Sequence, residues 1–301
     1  MTSPDTASAP RILVLGATGA IGGPIADRLE RNRAVETVRA VRSPDKLAEL
    51  KAEGKRAVRL DLNDPATFPA ALEGIDRLFI ATGYTIEMTH QVKTIVDAAA
   101  EAGVGFLVHL GVFGNGRSTD PHFAWHELVE RYIAGSGIAW CCLHPHMFME
   151  NLLTVMRLRD DTLTWPLGDK PVGWIAGDDI AAVAALVLAE GPQRHAGRDL
   201  FLSAEVMNGA QAAEVLTRAL GRPIKAAVRT PEELAAGVAA GVVKLPPNVE
   251  AHYGASMIEW AHQTYDGRMD LSAVTTDTVE RLLSRPATTL AQWAKTHRVV
   301  L

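Results

Sequence analysis

The feature that most constrains this chain is the apolar run Ile12 to Leu15, broken at once by glycines at Gly16, Gly19 and Gly22 and followed by the helical pattern Ile25, Ala26, Leu29. Consecutive apolar residues that stop at a glycine read as a parallel strand buried on both faces. A glycine turn between strand and helix has three separate uses: a tight reversal at Gly16, backbone approach to a pyrophosphate at Gly19, and close helix packing at Gly22. Thr18, Ala20 and Ile21 belong to the same turn, so the chain is expected to open with a dinucleotide cradle.

Strand and helix patterns then alternate. Strands are expected at Thr37 to Val41, Ala57 to Leu60, Arg77 to Ala81, Phe106 to Leu110 and Ile138 to Leu143. Helices fall between them, at Pro44 to Glu53, Pro65 to Leu72, Thr89 to Glu101 and Phe123 to Ala134. That order predicts an α/β, Rossmann-type doubly wound parallel sheet joined by right-handed crossovers. Beyond His144 the alternation breaks. A loop with Trp165, Pro166 and Trp174 precedes a helix begun by Asp178 or Asp179, and Leu200 to Leu202 reads as a strand returning to the sheet. The rest, with one strand at Ile224 to Val228, is expected to be mostly helical. The predicted division is a flexible tail over 1–10, a dinucleotide-binding domain over 11–150 and 176–204, and a smaller substrate lobe over 151–175 and 205–301.

Composition narrows the partners. With 30 Lys+Arg against 35 Asp+Glu and no basic block, the chain lacks the positive footprint of a nucleic-acid binder. Two cysteines, Cys141 and Cys142, are adjacent and cannot form a disulfide framework, so they read as apolar residues of a reducing compartment. The N-terminus has no signal-peptide pattern and no apolar run spans a bilayer. The expectation is a cytoplasmic protein, monomer or homodimer, acting on a small molecule.

The second strand selects the cofactor. An NAD site places Asp or Glu about twenty residues after the turn to accept from the ribose 2′-hydroxyl. Here the position holds Arg42, followed by Ser43, and a guanidinium pairs with a 2′-phosphate where a carboxylate repels it. NADP(H) is therefore expected. An alternative is that Arg42 is a solvated strand end, on an edge that Arg39 and Lys46 already make basic. Asp61 and Leu62 fall beside the adenine, and Thr82, Gly83, Gly111, Val112 and Pro145 follow the carboxyl ends of later strands, where open α/β sheets hold their ligands.

The glycine turn, Val41-Arg42-Ser43-Pro44, Asp61-Leu62-Asn63-Asp64 and His122-Phe-Ala-Trp-His126 running into Ser136-Gly137-Ile138 together resemble the NmrA-like family of atypical short-chain dehydrogenases/reductases. The segment Leu143 to Asn151 is similar to that family's Leu-Arg-Pro-x-x-Phe-x-x-Asn, and Asp178-Asp179-Ile180-Ala181 to its Asp-Ile-Ala helix start. The resemblance covers most of the chain. It implies a Rossmann domain preferring NADP(H) and a small lobe over the nicotinamide. It also implies mixed functions, from quinone and dye reductases to a regulator that senses the dinucleotide.

Departures bear on the chemistry. None of Tyr84, Tyr132, Tyr253 or Tyr265 is followed four residues later by Lys, so the Tyr-x-x-x-Lys pair that exchanges a proton with a carbonyl or alcohol is missing. Leu110 is followed by Gly111, Val112 and Phe113 rather than by Ser or Thr. By alignment with the family, His126 stands where many relatives have Lys, and His144 replaces the Arg before the proline. His122, His126 and Glu130 share one helical face, a pattern open to a proton-handling group, a structural histidine or a metal pair with a carboxylate. The expectation is His126 as an imidazolium proton donor, with His146 as second candidate, and no metal. Phe113, Trp125, Met147, Phe148, Trp165, Trp174 and Tyr253 are expected to surround the reactive end as an apolar pocket. Two functions follow: an NADPH-dependent reductase of a small C=C, C=O, C=N or quinone acceptor, or an NADP(H) sensor without turnover.

Overall fold

The computed structural model describes residues 8–83, 85–114, 119–241, 250–269 and 272–301; the first seven residues of the expected tail lie outside them. The amino half alternates as the sequence predicts: β1 (Arg11–Val14), α1 (Gly22–Glu30), β2 (Glu36–Val41), α2 (Pro44–Ala52), β3 (Ala57–Arg59), a 3₁₀ turn (Pro65–Thr67) running into α3 (Phe68–Leu72), β4 (Arg77–Ile80), α4 (Met88–Glu101), β5 (Phe106–Leu110), α5 (Pro121–Gly135) and β6 (Ala139–Pro145). The sheet is completed from the carboxyl half by β10 (Arg198–Leu202), which follows the one-turn α7 (Pro192–His195), and its order is β10-β6-β5-β4-β1-β2-β3. All six neighbouring pairs run parallel. The order reverses between β1 and β4, which places a ligand crevice at the carboxyl ends of those strands.

Alternation along each strand divides the core. Ile12, Val14, Phe79, Val108 and Leu143 pack towards α1 and α6 (Gly177–Glu190), while Leu13, Leu15, Leu78, Ile80 and Leu107 pack towards α3, α4 and α5. Burial of each such side chain contributes about 1.5–3 kcal/mol, so a two-sided sheet tolerates few polar residues between its strands. Cys141 and Cys142 are both buried and free, and burial pushes the Cys141 thiol up to about 12, which leaves it unreactive at neutral pH.

The segment expected as a loop with two tryptophans contains short strands. These are β7 (Met147–Phe148), β8 (Thr162–Trp165) and β9 (Val172–Ile175); beyond β10 the lobe continues with β11 (Glu205–Met207), α8 (Gly209–Leu220), β12 (Lys225–Val228), α9 (Pro231–Ala239) and α10 (Ala251–Tyr265). Strand β9 pairs with β7 and β11, and β8 pairs with β12. Trp165 and Trp174 stack at 5.8 Å between centroids. Both are fully buried in the lobe's core, so neither reaches a ligand, contrary to the pocket role expected from the sequence. Finally α11 (Thr278–Leu283) returns to the sheet, with Val279 in the core beneath α6, and α12 (Leu290–Thr296) packs on α8 in the lobe.

The start of α6 also differs from expectation. Its N-cap is Ala176, without a side-chain cap, and the Gly177 N–H is instead taken by Glu150 Oε2 at 2.9 Å. Asp178 is exposed and pairs with Arg28, whereas Asp179 is fully buried and binds a distant segment.

Candidate active site

The glycine turn has the shape a pyrophosphate needs. Gly16 sits at φ +63°, a conformation open to glycine at no steric cost, and the Gly19 N–H bonds back to its carbonyl at 2.8 Å. A Cβ on Gly22 would lie 2.4 Å from that same oxygen, so the third glycine is required by helix packing. Gly16, Thr18, Gly19 and Ala20 are exposed, while Ile21 and Gly22 are buried beneath them. The α1 N-cap Ile21 supplies no side-chain acceptor and its first turn carries no acid, so a phosphate meets backbone donors without a competing carboxylate. These residues fit a bound dinucleotide.

Behind the turn lies a residue whose role was not legible in the sequence. Arg39 is buried, donates to Glu30 through Nε at 2.6 Å, pairs with Asp27, and reaches the Ala17 carbonyl at 3.2 Å through Nη1. It ties β2 and α1 to the turn and is not part of an exposed basic edge. Lys46 is paired with Glu49. Arg42 is exposed at the end of β2 and makes no ion pair among the described residues. Ser43 caps α2 by accepting from the Lys46 N–H, and Asp61 accepts from the Asn63 N–H at 3.0 Å. Leu62 packs at the rim of the α3–α4 core, while Thr82 and Gly83 follow β4 half-buried and exposed.

At the ends of β5 and β6 the polar residues converge. Gly111 donates to the Leu143 carbonyl at 2.9 Å, and Phe113 to that of Pro145 at 3.0 Å. A Cβ on Gly111 would stand 2.3 Å from Glu130 Oε1, so a serine here would force that carboxyl aside. Val112, Gly114, Phe123, His126, Glu127, Glu130 and His144 line one small cavity of about 50 Å³. His144 places Nδ1 2.9 Å from the Val112 carbonyl and Nε2 2.9 Å from Asp199, with Glu130 Oε1 3.6 Å from Nδ1. Two acceptors demand two N–H groups, so the imidazolium is the form that satisfies both. Burial opposes that charge, but Asp199, Glu130 and the Val112 carbonyl outweigh it and raise the His144 pKa.

His126 behaves otherwise. Burial, reinforced by His122, His109 and His144, holds it well below the ordinary histidine value, and its Nδ1 has no hydrogen-bond partner among the described residues. Burial thus favours a neutral imidazole at the cavity wall over the imidazolium expected from the sequence. Burial likewise pushes His122 down to about 4 and Glu130 up to about 7. His109 was missed by sequence reasoning. A histidine inside the apolar strand Phe106–Leu110 was the available signal, since every second residue there faces α5.

The other candidates scatter. Phe113 stacks on His146 at 3.7 Å, and Tyr253 meets His122 edge-on at 4.6 Å. Trp125 packs against the α4 core, Met147 against the lobe, and Phe148 against the α1–α6 core. Thus Phe113 and His146 form one ring pair, and Tyr253 and Trp125, the latter edge-on to His122 at 6.3 Å, adjoin the histidine cluster, while Met147 and Phe148 are half-buried against the lobe and the sheet core.

A doubly wound sheet with a glycine cradle at its first crossover defines a Rossmann-type dinucleotide-binding protein. The chain belongs to the NmrA-like family, whose model matches residues 8–294. It is 31% identical over 290 residues to an NAD(P)H azoreductase of Xenophilus azovorans, covering 95% of this chain and 97% of that one. It resembles the structure of an NADPH-dependent quinone oxidoreductase of Escherichia coli complexed with NADPH, with TM-score 0.80 and 26% identity over 95% of this chain and 99% of that one. The fold is also that of NmrA, a negative transcriptional regulator solved with NAD, with TM-score 0.76 and 19% identity over 95% of each chain.

Proposed function

We propose that this protein is an NADPH-dependent reductase of a small apolar or aromatic acceptor carrying a C=C, C=O, C=N or quinone group. The observation that carries the cofactor choice is Arg42, an exposed cation beside the turn whose neighbours Arg39 and Lys46 are already consumed by carboxylates. A 2′-phosphate meets an available guanidinium there. Similarity across nearly the whole chain to an azoreductase and a quinone oxidoreductase supports reduction as the reaction. Gly16, Thr18, Gly19, Ala20, Ile21 and Gly22 would hold the pyrophosphate, Arg42 and Ser43 the 2′-phosphate, and Asp61 and Leu62 the adenine. Thr82, Gly83, Gly111, Val112 and Pro145 would flank the nicotinamide, which supplies a hydride when bound.

The chain's own residues then handle the proton. His126 lines the cavity and its Nδ1 has no hydrogen-bond partner among the described residues, and a neutral imidazole can donate from one nitrogen while accepting at the second. In this reading it passes a proton and does not store one, and His146 beside Phe113 is the second candidate.

NADPH oxidation across quinones, azo dyes, enones, imines and aromatic ketones tests the reading. His126→Ala should lower turnover by ~10²- to 10⁴-fold for acceptors that need a proton and little for a cationic dye that takes hydride alone. Equal losses with both would remove His126 from the proton path. One observation favours a sensor: the cavity, at about 50 Å³, is far smaller than pockets for aromatic ligands. Tight NADPH binding with no turnover of any acceptor would establish that reading instead.

A further inference from the structure

At the cavity wall, three potential ligands from two elements meet, one from the sheet and two from consecutive turns of the helix that covers it. His109 lies on β5, and His126 and Glu130 lie one turn apart on the face of α5 that covers it. One ligand atom of each is within 4.8 Å of the other two. His109 is fully buried and neither of its ring nitrogens makes a hydrogen bond of ordinary geometry among the described residues, although the Ile80 carbonyl lies close enough to favour its protonation. The Nδ1 of His126 is equally unpartnered. Buried polar atoms are nearly always satisfied, and each of these two imidazoles, which both carry an orphaned nitrogen, brings one ring nitrogen into the cluster, a costly arrangement unless something occupies the space between them.

We propose that His109, His126 and Glu130 bind one divalent first-row transition ion of the zinc class, with its remaining coordination position turned towards the cavity. Two imidazoles and one carboxylate form a donor set that suits zinc, cobalt or nickel, and not calcium or magnesium, which require oxygen ligands. Neutral imidazole is the ligating form. Metal–ligand bonds near 2.0–2.1 Å bring tetrahedral donors to roughly 3.3 Å from one another, so the cluster must contract, which rotation of the Glu130 side chain and the two rings allows. His144, 3.6 Å from Glu130 Oε1 and held by Asp199, is the neighbour that orients the carboxylate. His122 packs edge-on against His126 at 4.7 Å and fixes its ring plane. Glu127 is the remaining charged group at the cavity wall.

The inference does not rest on the choice of cofactor or acceptor, since the ion's ligands are tested without either; with His126 on the ion, the proton role of the proposed reductase passes to His146. Full-length protein freed of metal by a chelator is titrated with Co²⁺, read by visible absorption, and with Zn²⁺ in competition with a chromophoric chelator. The expected result is one equivalent bound and a cobalt spectrum of four- or five-coordinate type. His109→Ala and Glu130→Gln should each weaken binding at least tenfold, and His252→Ala, at an exposed histidine of α10, should leave it unchanged. Circular dichroism and NADPH titration of each variant report folding. If His109→Ala does not fold, Glu130→Gln, which preserves size, carries the test. Absence of stoichiometric binding, or binding that Glu130→Gln leaves unaltered, would overturn the site.

Discussion

Arg39 on β2 and Arg42 just past its end stand three residues apart and have opposite environments, because one is buried beneath the glycine turn and the other is exposed. Arg42→Ala should lose about 1–3 kcal/mol of NADPH binding, as expected for a charged hydrogen bond, and almost none of NADH binding. Titration of both cofactors decides it, and equal wild-type affinities would refute the assignment. Arg39→Met should instead cost about 2 kcal/mol of stability and loosen both cofactors alike, since it releases Ala17, Asp27 and Glu30 together. The pair with Arg39 lowers the Asp27 pKa below its ordinary 3.8, so its contribution is present above that value and lost as pH falls through the folded one. The wild type's advantage over Arg39→Met in urea unfolding should therefore be full at neutral pH and shrink under strong acid. A gap that stays constant with pH would contradict the pairing. Sequence alone could not separate the two arginines: burial depends on the packing of α1 against β2, and both positions carry the same residue type.

At the scale of elements, the amino half was legible because apolar strand runs alternate there with helical patterns, several of them bounded by a glycine, a proline or a cap such as Ser43 and Asp120. The lobe was not. Strand β8 pairs with β12, some sixty positions later, and β9 with β7 and β11, so these short segments are strands only through distant partners. The tryptophans on them read equally well as pocket or core until Gly209 is placed, where a Cβ would lie 2.4 Å from Trp165. Within the first βα unit the glycines separate into binding and packing. At Gly19 a Cβ would meet the Gly16 oxygen at 3.2 Å, a tight contact, on the exposed side where a phosphate approaches. Gly19→Val should fold and lose cofactor binding. Gly22→Ala meets backbone at 2.4 Å and should be destabilised outright, by about 1–3 kcal/mol as for other overpacked sites. Thermal unfolding followed beside NADPH titration distinguishes them, and a Gly19→Val protein that binds NADPH normally would sink the cradle.

The whole molecule depends on how its carboxyl end is fastened to the sheet, and one buried carboxylate does much of that fastening. Asp179, on the first turn of α6, accepts from Arg285 at 2.7 Å, from the Thr288 N–H at 2.6 Å and from the Thr288 hydroxyl at 3.2 Å. Those partners lie between α11, which packs on the sheet, and α12, which packs in the lobe, so a single side chain pins the crossing between the two. Glu150 works in parallel, binding the Gly177 N–H at the head of α6 and the Trp293 indole on α12 at 3.0 Å. The Asp-Ile-Ala pattern that reads as a helix start thus marks a clamp between distant segments, a role that needs the fold to be seen. Asp179→Ala takes this acceptor from the half-buried Thr288 N–H and from a partly exposed guanidinium that keeps the Pro286 carbonyl, and should cost about 1–3 kcal/mol, whereas Asp179→Asn keeps one acceptor oxygen and should cost less. Because the clamp spans both cores, the loss should come with earlier proteolysis in the carboxyl segment while NADPH, held by the glycine turn in the proposed reading, still protects the sheet. Urea unfolding and limited proteolysis with and without NADPH measure this. A variant as stable as wild type, or one cleaved first in the amino half, would show that the carboxyl segment is held by its apolar contacts alone.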